Sequence, residues 1–131
     1  MKLLGLDVGD SRIGVALSDG ETVGTYGIIQ NKGFSFAVFE ISKIARQEKI
    51  DKIIIGIPKN KDSFQADKIH KLAIELTKNI NIDIDYIDET LTSVEAERLL
   101  SSKKMNPKSV NYREEIDKLS AKLILEQFLN A

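Results

Sequence analysis

The chain has 131 residues, of which 42% are hydrophobic and 30% are charged, and it contains no cysteine. This length and composition predict one soluble globular domain over residues 1–131. The absence of cysteine excludes disulfides, thiolate zinc sites and cysteine nucleophiles, and it agrees with a cytoplasmic location. The net charge of −1 excludes a molecule that is basic as a whole, so any attraction for phosphate must be local or carried by metal ions.

The hydropathy pattern predicts no association with membranes. The apolar run at the N-terminus stops at Asp7, which is too early for the core of a signal peptide. No other stretch approaches the ~20 apolar residues that a membrane span needs.

Three short strands are predicted first. Residues 2–8 are almost continuously apolar, as in a buried strand, and residues 12–18 follow as a second strand. The turn signal Asp19-Gly20 then separates the second strand from a third over residues 23–30. The first quarter of the chain is therefore expected to form an antiparallel meander.

Helices and strands alternate in the rest of the chain. Residues 34–49 repeat apolar side chains at three- and four-residue spacing, which predicts a helix with Phe34, Val38, Ile41, Ile44 and Ala45 on its inner face. The later patterns predict a strand over 52–57, a helix over 64–79, a strand over 82–88, a helix from the capping box at 92–95 to about residue 100, a loop over 101–111 and a helix over 112–129.

A meander followed by alternating helices and strands predicts an α/β domain with one mixed sheet. We expect five strands, the first three of them antiparallel, flanked by helices in a ribonuclease-H-like arrangement. The opening meander is the feature that separates this fold from a doubly wound parallel sheet.

Two carboxylates stand at positions that favour apolar side chains. Asp7 interrupts a buried strand, where an ionised group is costly unless it is paired or bound to metal, although it could also cap the turn at Gly9. At about 100° per residue, Asp117 falls between Ile124 and Phe128 on the apolar face of the last helix. The alternative role for Asp117 is a favourable interaction with the helix dipole.

Glu89 follows the strand over 82–88, and α/β sheets bind ligands at such strand ends. Alternatively, Asp88 and Glu89 merely end the strand. Together, Asp7, Glu89 and Asp117 form a plausible catalytic cluster of oxygen ligands that suits one or two Mg²⁺ or Mn²⁺ ions and phosphodiester hydrolysis. A glycosidase also uses paired carboxylates, but the sequence offers no tryptophan as a sugar platform.

Two segments could contact phosphate groups. The stretch from Arg98 to Arg113 contains Lys103 and Lys104 but no acidic residue, so it is either a solvated loop or a phosphate-binding lip. Lys59 and Asn60 follow a buried strand at the carboxyl end of the sheet, where they either contact a phosphate or form a plain connecting loop.

Four blocks of the sequence resemble the YqgF (RuvX) family of Holliday-junction-resolvase-like proteins, which are also described as pre-16S rRNA nucleases. The blocks occur in the family's order over essentially the full length. They are GLDVGDSRIGVALSD (residues 5–19), IGIPKN (55–60), DETLTSVEA (88–96) and DKLSAKLIL (117–125).

The resemblance implies a ribonuclease-H-like fold, metal-binding acids at Asp7, Glu89 and Asp117, and a position near the substrate for Arg12. Three departures stand out. Thr90 replaces the family's usual arginine, Ser120 replaces an alanine in what we expect to be a harmless exchange, and the loop after Asn60 is shorter than usual.

The leading hypothesis is a metal-dependent nuclease that matures the 5′ end of precursor 16S rRNA, acting as a monomer or homodimer on small-subunit precursors. The first alternative is a resolvase of four-way DNA junctions, which needs a symmetric dimer to cut two strands. A non-catalytic RNA-binding factor for ribosome assembly is a further alternative. An actin-like ATPase, suggested by the Gly5-x-Asp7-x-Gly9 pattern, would need a second domain and a second phosphate hairpin.

Overall fold

The computed structural model describes residues 1–58, 63–88, 92–101 and 110–130. Every predicted element is present, and every predicted end agrees within two residues. The elements are β1 (Leu3–Val8), β2 (Arg12–Ser18), β3 (Val23–Gln30), α1 (Phe34–Gln47), β4 (Lys52–Ile57), α2 (Phe64–Asn79), β5 (Asp83–Asp88), α3 (Thr92–Ser101) and α4 (Val110–Leu129).

The strands form one sheet in the order β3-β2-β1-β4-β5. Strand β2 pairs antiparallel with both β1 and β3, whereas β1–β4 and β4–β5 are parallel pairs. The predicted antiparallel meander and mixed sheet are therefore confirmed. Because β1 is the centre of the sheet, its side chains are covered on both faces, which explains why its sequence is almost continuously apolar.

The two faces of the sheet carry separate cores. Side chains alternate along a strand, so Leu4 and Leu6 face α1 and α2, where they join the larger apolar cluster. Leu3 instead joins the smaller cluster, which packs against α4. Asp7 follows Leu3 and Gly5 in this alternation and lies on the α4 face.

Helices α1 and α2 each bury one apolar face, and that of α1 is the predicted face with one exception. In α2, the buried face includes Ile69, Leu72, Ala73 and Leu76. In α1, Phe34 was predicted to face inward, and this prediction is wrong because 47% of its surface is exposed. Phe34 is the first residue of the helix, beyond the turns that lie over the sheet.

Helix α4 lies unusually close to the sheet. A Cβ atom added to Gly14 of β2 would lie 2.0 Å from the carbonyl oxygen of Asp117, and one added to Gly5 of β1 would lie 3.0 Å from that of Ala121. Ser120 and Ala121 are fully buried, so small residues on both the helix and the strands permit this approach.

Helix α3 begins at Thr92, where the capping-box pattern placed its start. The Glu95 carboxylate accepts a charge-assisted hydrogen bond from Nε of Arg98 at 3.2 Å. This hydrogen bond holds the pKa of Glu95 below its ordinary value.

No helix within the described ranges is both long enough and apolar enough to cross a membrane.

We expect Gly14→Ala to destabilise the protein by about 2–3 kcal/mol, because its methyl group would displace the α4 backbone. Gly24→Ala is the matched control, since no heavy atom of the described chain lies within 4 Å of a Cβ at that strand position. Urea denaturation of both variants measures the difference in the free energy of unfolding. Equal stability of the two variants would contradict the close contact.

Ser120→Ala should stabilise the protein by about 1 kcal/mol. The Ser120 hydroxyl is buried and has no hydrogen-bond partner among the residues described, so its desolvation is uncompensated. The serine that replaces the family's alanine at position 120 is therefore slightly destabilising, although we expected this exchange to be harmless. Thermal and urea unfolding beside the exposed-site control Ser35→Ala would measure the effect, and a destabilised Ser120→Ala protein would refute it.

Candidate active site

The candidate site begins at the carboxyl end of β1. Asp7 is the fifth residue of this strand, is partly buried, and pairs in register with Gly14 of β2. Directly opposite residues of an antiparallel pair are about 5 Å apart. Asp7 therefore lies one strand spacing from the position where α4 contacts the sheet.

Asp117 is brought to the same place by the close packing of α4. Its main chain lies against Gly14, and its side chain is 22% exposed. The prediction that Asp117 faces the sheet is therefore confirmed. Since Gly14 is the neighbour of both acids, Asp7 and Asp117 share one small region although they are far apart in sequence.

Arg12 completes the described part of the site. Its Nε donates a hydrogen bond of 2.7 Å to Oδ2 of Asp117, and its side chain is 24% exposed. This charge-assisted contact offsets the cost of placing a carboxylate where little water reaches it. The sequence analysis missed this pair, although Arg12, Gly14 and Ala16 alternate on one strand and must share the α4 face.

The arrangement suits a hard cation and a phosphate group. Carboxylate oxygens are the ligands that Mg²⁺ and Mn²⁺ prefer. Arg12 presents a fork of N–H donors, of which only Nε is committed to Asp117. In the part of the chain that the structure describes, no group of three acidic or histidine side chains converges on one point.

The third predicted ligand, Glu89, lies outside the described residues, and its role stays a prediction. It follows Asp88, the last residue of β5. Two strand spacings, about 10 Å, separate β5 from β1 in the sheet.

The predicted phosphate contacts are only partly described. Lys59, Asn60, Lys103 and Lys104 lie outside the described ranges, as does Thr90. Arg113 is exposed in the first turns of α4, four residues before Asp117, so it lies on the same side of the helix. Arg113 takes part in none of the ion pairs found among the described residues.

Comparisons with known proteins identify a family and relatives that match over the length of the chain. A family model described as RuvX, Holliday junction resolvase, matches residues 1–131. A protein of Crocosphaera subtropica named "Putative pre-16S rRNA nuclease" is 39% identical over 133 residues, which cover 97% of this chain and 91% of that protein.

Two solved structures have the same fold. RuvC of T. thermophilus in complex with a Holliday junction aligns with a TM-score of 0.63 and 9% identity, covering 99% of this chain and 95% of that one. The fowlpox virus resolvase in complex with Holliday junction DNA aligns with a TM-score of 0.60 and 12% identity over the whole of both chains. At such low identities, these two likenesses concern the fold alone.

We expect Arg12 and Asp117 to be coupled by about 1–2 kcal/mol, because a pair that is only one-quarter exposed is weakly screened by water. A double-mutant cycle of Arg12→Ala and Asp117→Ala, followed by urea denaturation, would measure this energy.

The control cycle uses Lys78 and Glu75 of α2, which are 3.3 Å apart but more exposed. Their coupling should be near zero, and the Arg12–Asp117 coupling should largely persist in 1 M salt, because salt screens a partly buried pair much less than an exposed one. Equal coupling energies in the two cycles would show that burial does not strengthen the site pair.

Proposed function

The chain belongs to the RuvX family, and on that premise we propose that it is a metal-dependent nuclease that hydrolyses phosphodiester bonds of precursor 16S rRNA. The observation that carries the proposal is that Gly14 neighbours both acids, because it pairs in register with Asp7 and lies against the main chain of Asp117. Two carboxylates in one small region can together supply oxygen ligands to a divalent metal ion. The pre-16S rRNA substrate is taken from the name of the relatives.

In this proposal, Asp7, Glu89 and Asp117 hold one or two Mg²⁺ or Mn²⁺ ions. Such ions, when bound, activate a water molecule and stabilise the leaving oxygen of a phosphodiester. The two described acids fit this role, because they offer hard oxygen ligands at an accessible edge of the sheet. Because Asp7 is on β1 and Asp117 is on α4, the positions of these two ligands are set by regular secondary structure.

Cationic side chains of the chain position the substrate. Besides the N–H that it gives to Asp117, Arg12 carries further donors that can bind a phosphodiester oxygen beside the acids. Arg113 extends the positive surface by one helical turn. Lys59, Asn60, Lys103 and Lys104 are proposed as further backbone contacts, which position a nucleic acid without specifying its sequence.

With this function, residues 1–131 would form one nuclease domain. The protein would act in the cytoplasm, on precursors of the small ribosomal subunit. The chain can act there as a monomer, because a single cut in one RNA strand requires one site.

Cleavage of four-way DNA junctions is the second candidate, and the description of the matching family model as Holliday junction resolvase favours it. Both activities would use the same acids. A resolvase, however, requires two sites related by a symmetry axis, so it would act as a homodimer.

The deciding experiment compares cleavage of a labelled RNA carrying precursor 16S ends with cleavage of a labelled four-way junction, in Mg²⁺, Mn²⁺ or chelator. Asp7→Asn and Asp117→Asn should each lower the rate at least about a hundredfold, since even an outer-shell partner of a metal ligand is worth 10- to 100-fold. Asp83→Asn is the control, because Asp83 begins β5 and lies at the opposite edge of the sheet.

Metal-dependent RNA cleavage that both site variants abolish would support the proposal. Cleavage of the junction alone, by a protein that light scattering shows to be a dimer, would replace it with the resolvase. If the folded wild type binds precursor RNA but cuts neither substrate, the chain is a non-catalytic assembly factor.

A further inference from the structure

A cavity of about 390 Å³ lies at the same edge of the sheet as the candidate site, but on the opposite face. It is bounded by the turn after β1, the start of α1 and the first turns of α2. Val8 lines it, and Val8 directly follows Asp7. A volume of this size is typical of a small-molecule site. We call it the α1–α2 cavity.

An aromatic ring lies at the mouth of this cavity. The inner walls are the apolar side chains of Val8, Ile13, Ala37 and Leu72, and Phe34 adds a ring that is 47% exposed. Phe64, at the start of α2, is 75% exposed. Exposed aromatic rings near an apolar pocket offer stacking surfaces for flat ligands, and every nucleobase has a suitable π-face.

The rim of the cavity has a net positive charge, because two lysines, Lys68 and Lys71, and one acid, Asp10, line it. Nζ of Lys68 lies 4.6 Å from the centre of the Phe64 ring and makes an exposed ion pair of 3.2 Å with Asp10. Lys71 has no carboxylate partner within the described ranges. Lysines beside exposed aromatic rings are the combination that binds single-stranded nucleic acid.

A polar group at the cavity can read a base edge. Nε2 of Gln65 donates a hydrogen bond of 2.9 Å to the carbonyl oxygen of Val8, which holds the amide in one orientation. The described residues provide no donor for its Oε1 atom, so this oxygen can accept a hydrogen bond from a nucleobase. Asn31 donates instead to Gly9 at 2.9 Å and keeps the adjacent turn in place.

We propose that the α1–α2 cavity binds an unpaired nucleotide of the RNA substrate, with its base against Phe34 and the flanking phosphates on Lys68 and Lys71. This inference rests on the proposed function and adds that the substrate carries a single-stranded segment next to the cleaved bond. The positive rim favours a polyanion over a protein partner. Because Asp7 and Val8 are adjacent, one strand crossing the sheet edge reaches both sites.

The test measures binding of a fluorescent eight-nucleotide single-stranded RNA to the full chain by anisotropy, in chelator. Phe34→Ala should weaken binding roughly tenfold or more, and Phe34→Tyr should restore it. Lys71→Ala should lower the salt dependence of binding by about one unit of slope.

Two control variants match the exposure and charge of the test positions. Phe39→Ala removes a ring of the same helix that is 62% exposed but does not line the cavity. Lys78→Ala removes an exposed lysine of α2. Both should bind as the wild type does, and thermal unfolding verifies that all variants are folded.

An RNA with one abasic position per oligonucleotide tests the base contact directly. If a base is held against Phe34, the wild type should bind an abasic RNA more weakly than the intact RNA. The Phe34→Ala variant should bind the abasic and intact RNAs equally. Equal effects of Phe34→Ala and Phe39→Ala, no effect of Phe34→Ala, or a tenfold preference for DNA of the same sequence would each overturn the inference.

The test separates this inference from the proposed nuclease function. Asp7→Asn should abolish cleavage and leave binding in chelator unchanged, whereas Phe34→Ala should raise the KM for a substrate with an unpaired segment and retain kcat. RNA cleavage by the wild type without Phe34-dependent binding would remove only the inference drawn from the cavity.

Discussion

Helix α4 can lie directly on β1 and β2 only because Gly5 and Gly14 have no side chains. The candidate site depends on this contact. A side chain at position 14 would lift the helix by more than an ångström, and Asp117 would move with it. The same contact buries Ser120 and Ala121 and closes the smaller core. The packing of that core and the placement of the acids therefore depend on the same helix–sheet contact. A substitution that disturbs this contact should lower both the free energy of unfolding and the activity.

The electrostatics of the site follow from this burial. A carboxylate that loses part of its hydration needs a compensating charge, and Arg12 supplies it to Asp117 across the helix–sheet contact. In a chain of net charge −1, attraction for a polyanion cannot come from the molecule as a whole. It must come from local cations, of which Arg12, Arg113, Lys68 and Lys71 are the described examples at one edge of the sheet.

The alternation of side chains along β1 gives this edge two different faces. Asp7 lies on the α4 face, as do Arg12 and Asp117, whereas Val8 lies on the face that α1 and α2 cover. The two faces meet where the strand ends, so chemistry and binding can be adjacent without competing for space. In the two proposals, the α1–α2 cavity would hold a strand of nucleic acid on one face, and the acids on the other face would serve its hydrolysis.

The sequence by itself determined the order, type and approximate bounds of all nine elements in the described ranges, because apolar periodicity and turn residues are local signals. It also singled out Asp7 and Asp117 as carboxylates at positions that favour apolar side chains. Only the tertiary structure decided that they meet at Gly14, that Arg12 pairs with Asp117, and that Phe34 opens onto a cavity. These features depend on which strand lies beside which and on how closely α4 approaches the sheet. Such distances between remote segments leave no periodic trace in one sequence, since they arise from packing across the whole fold.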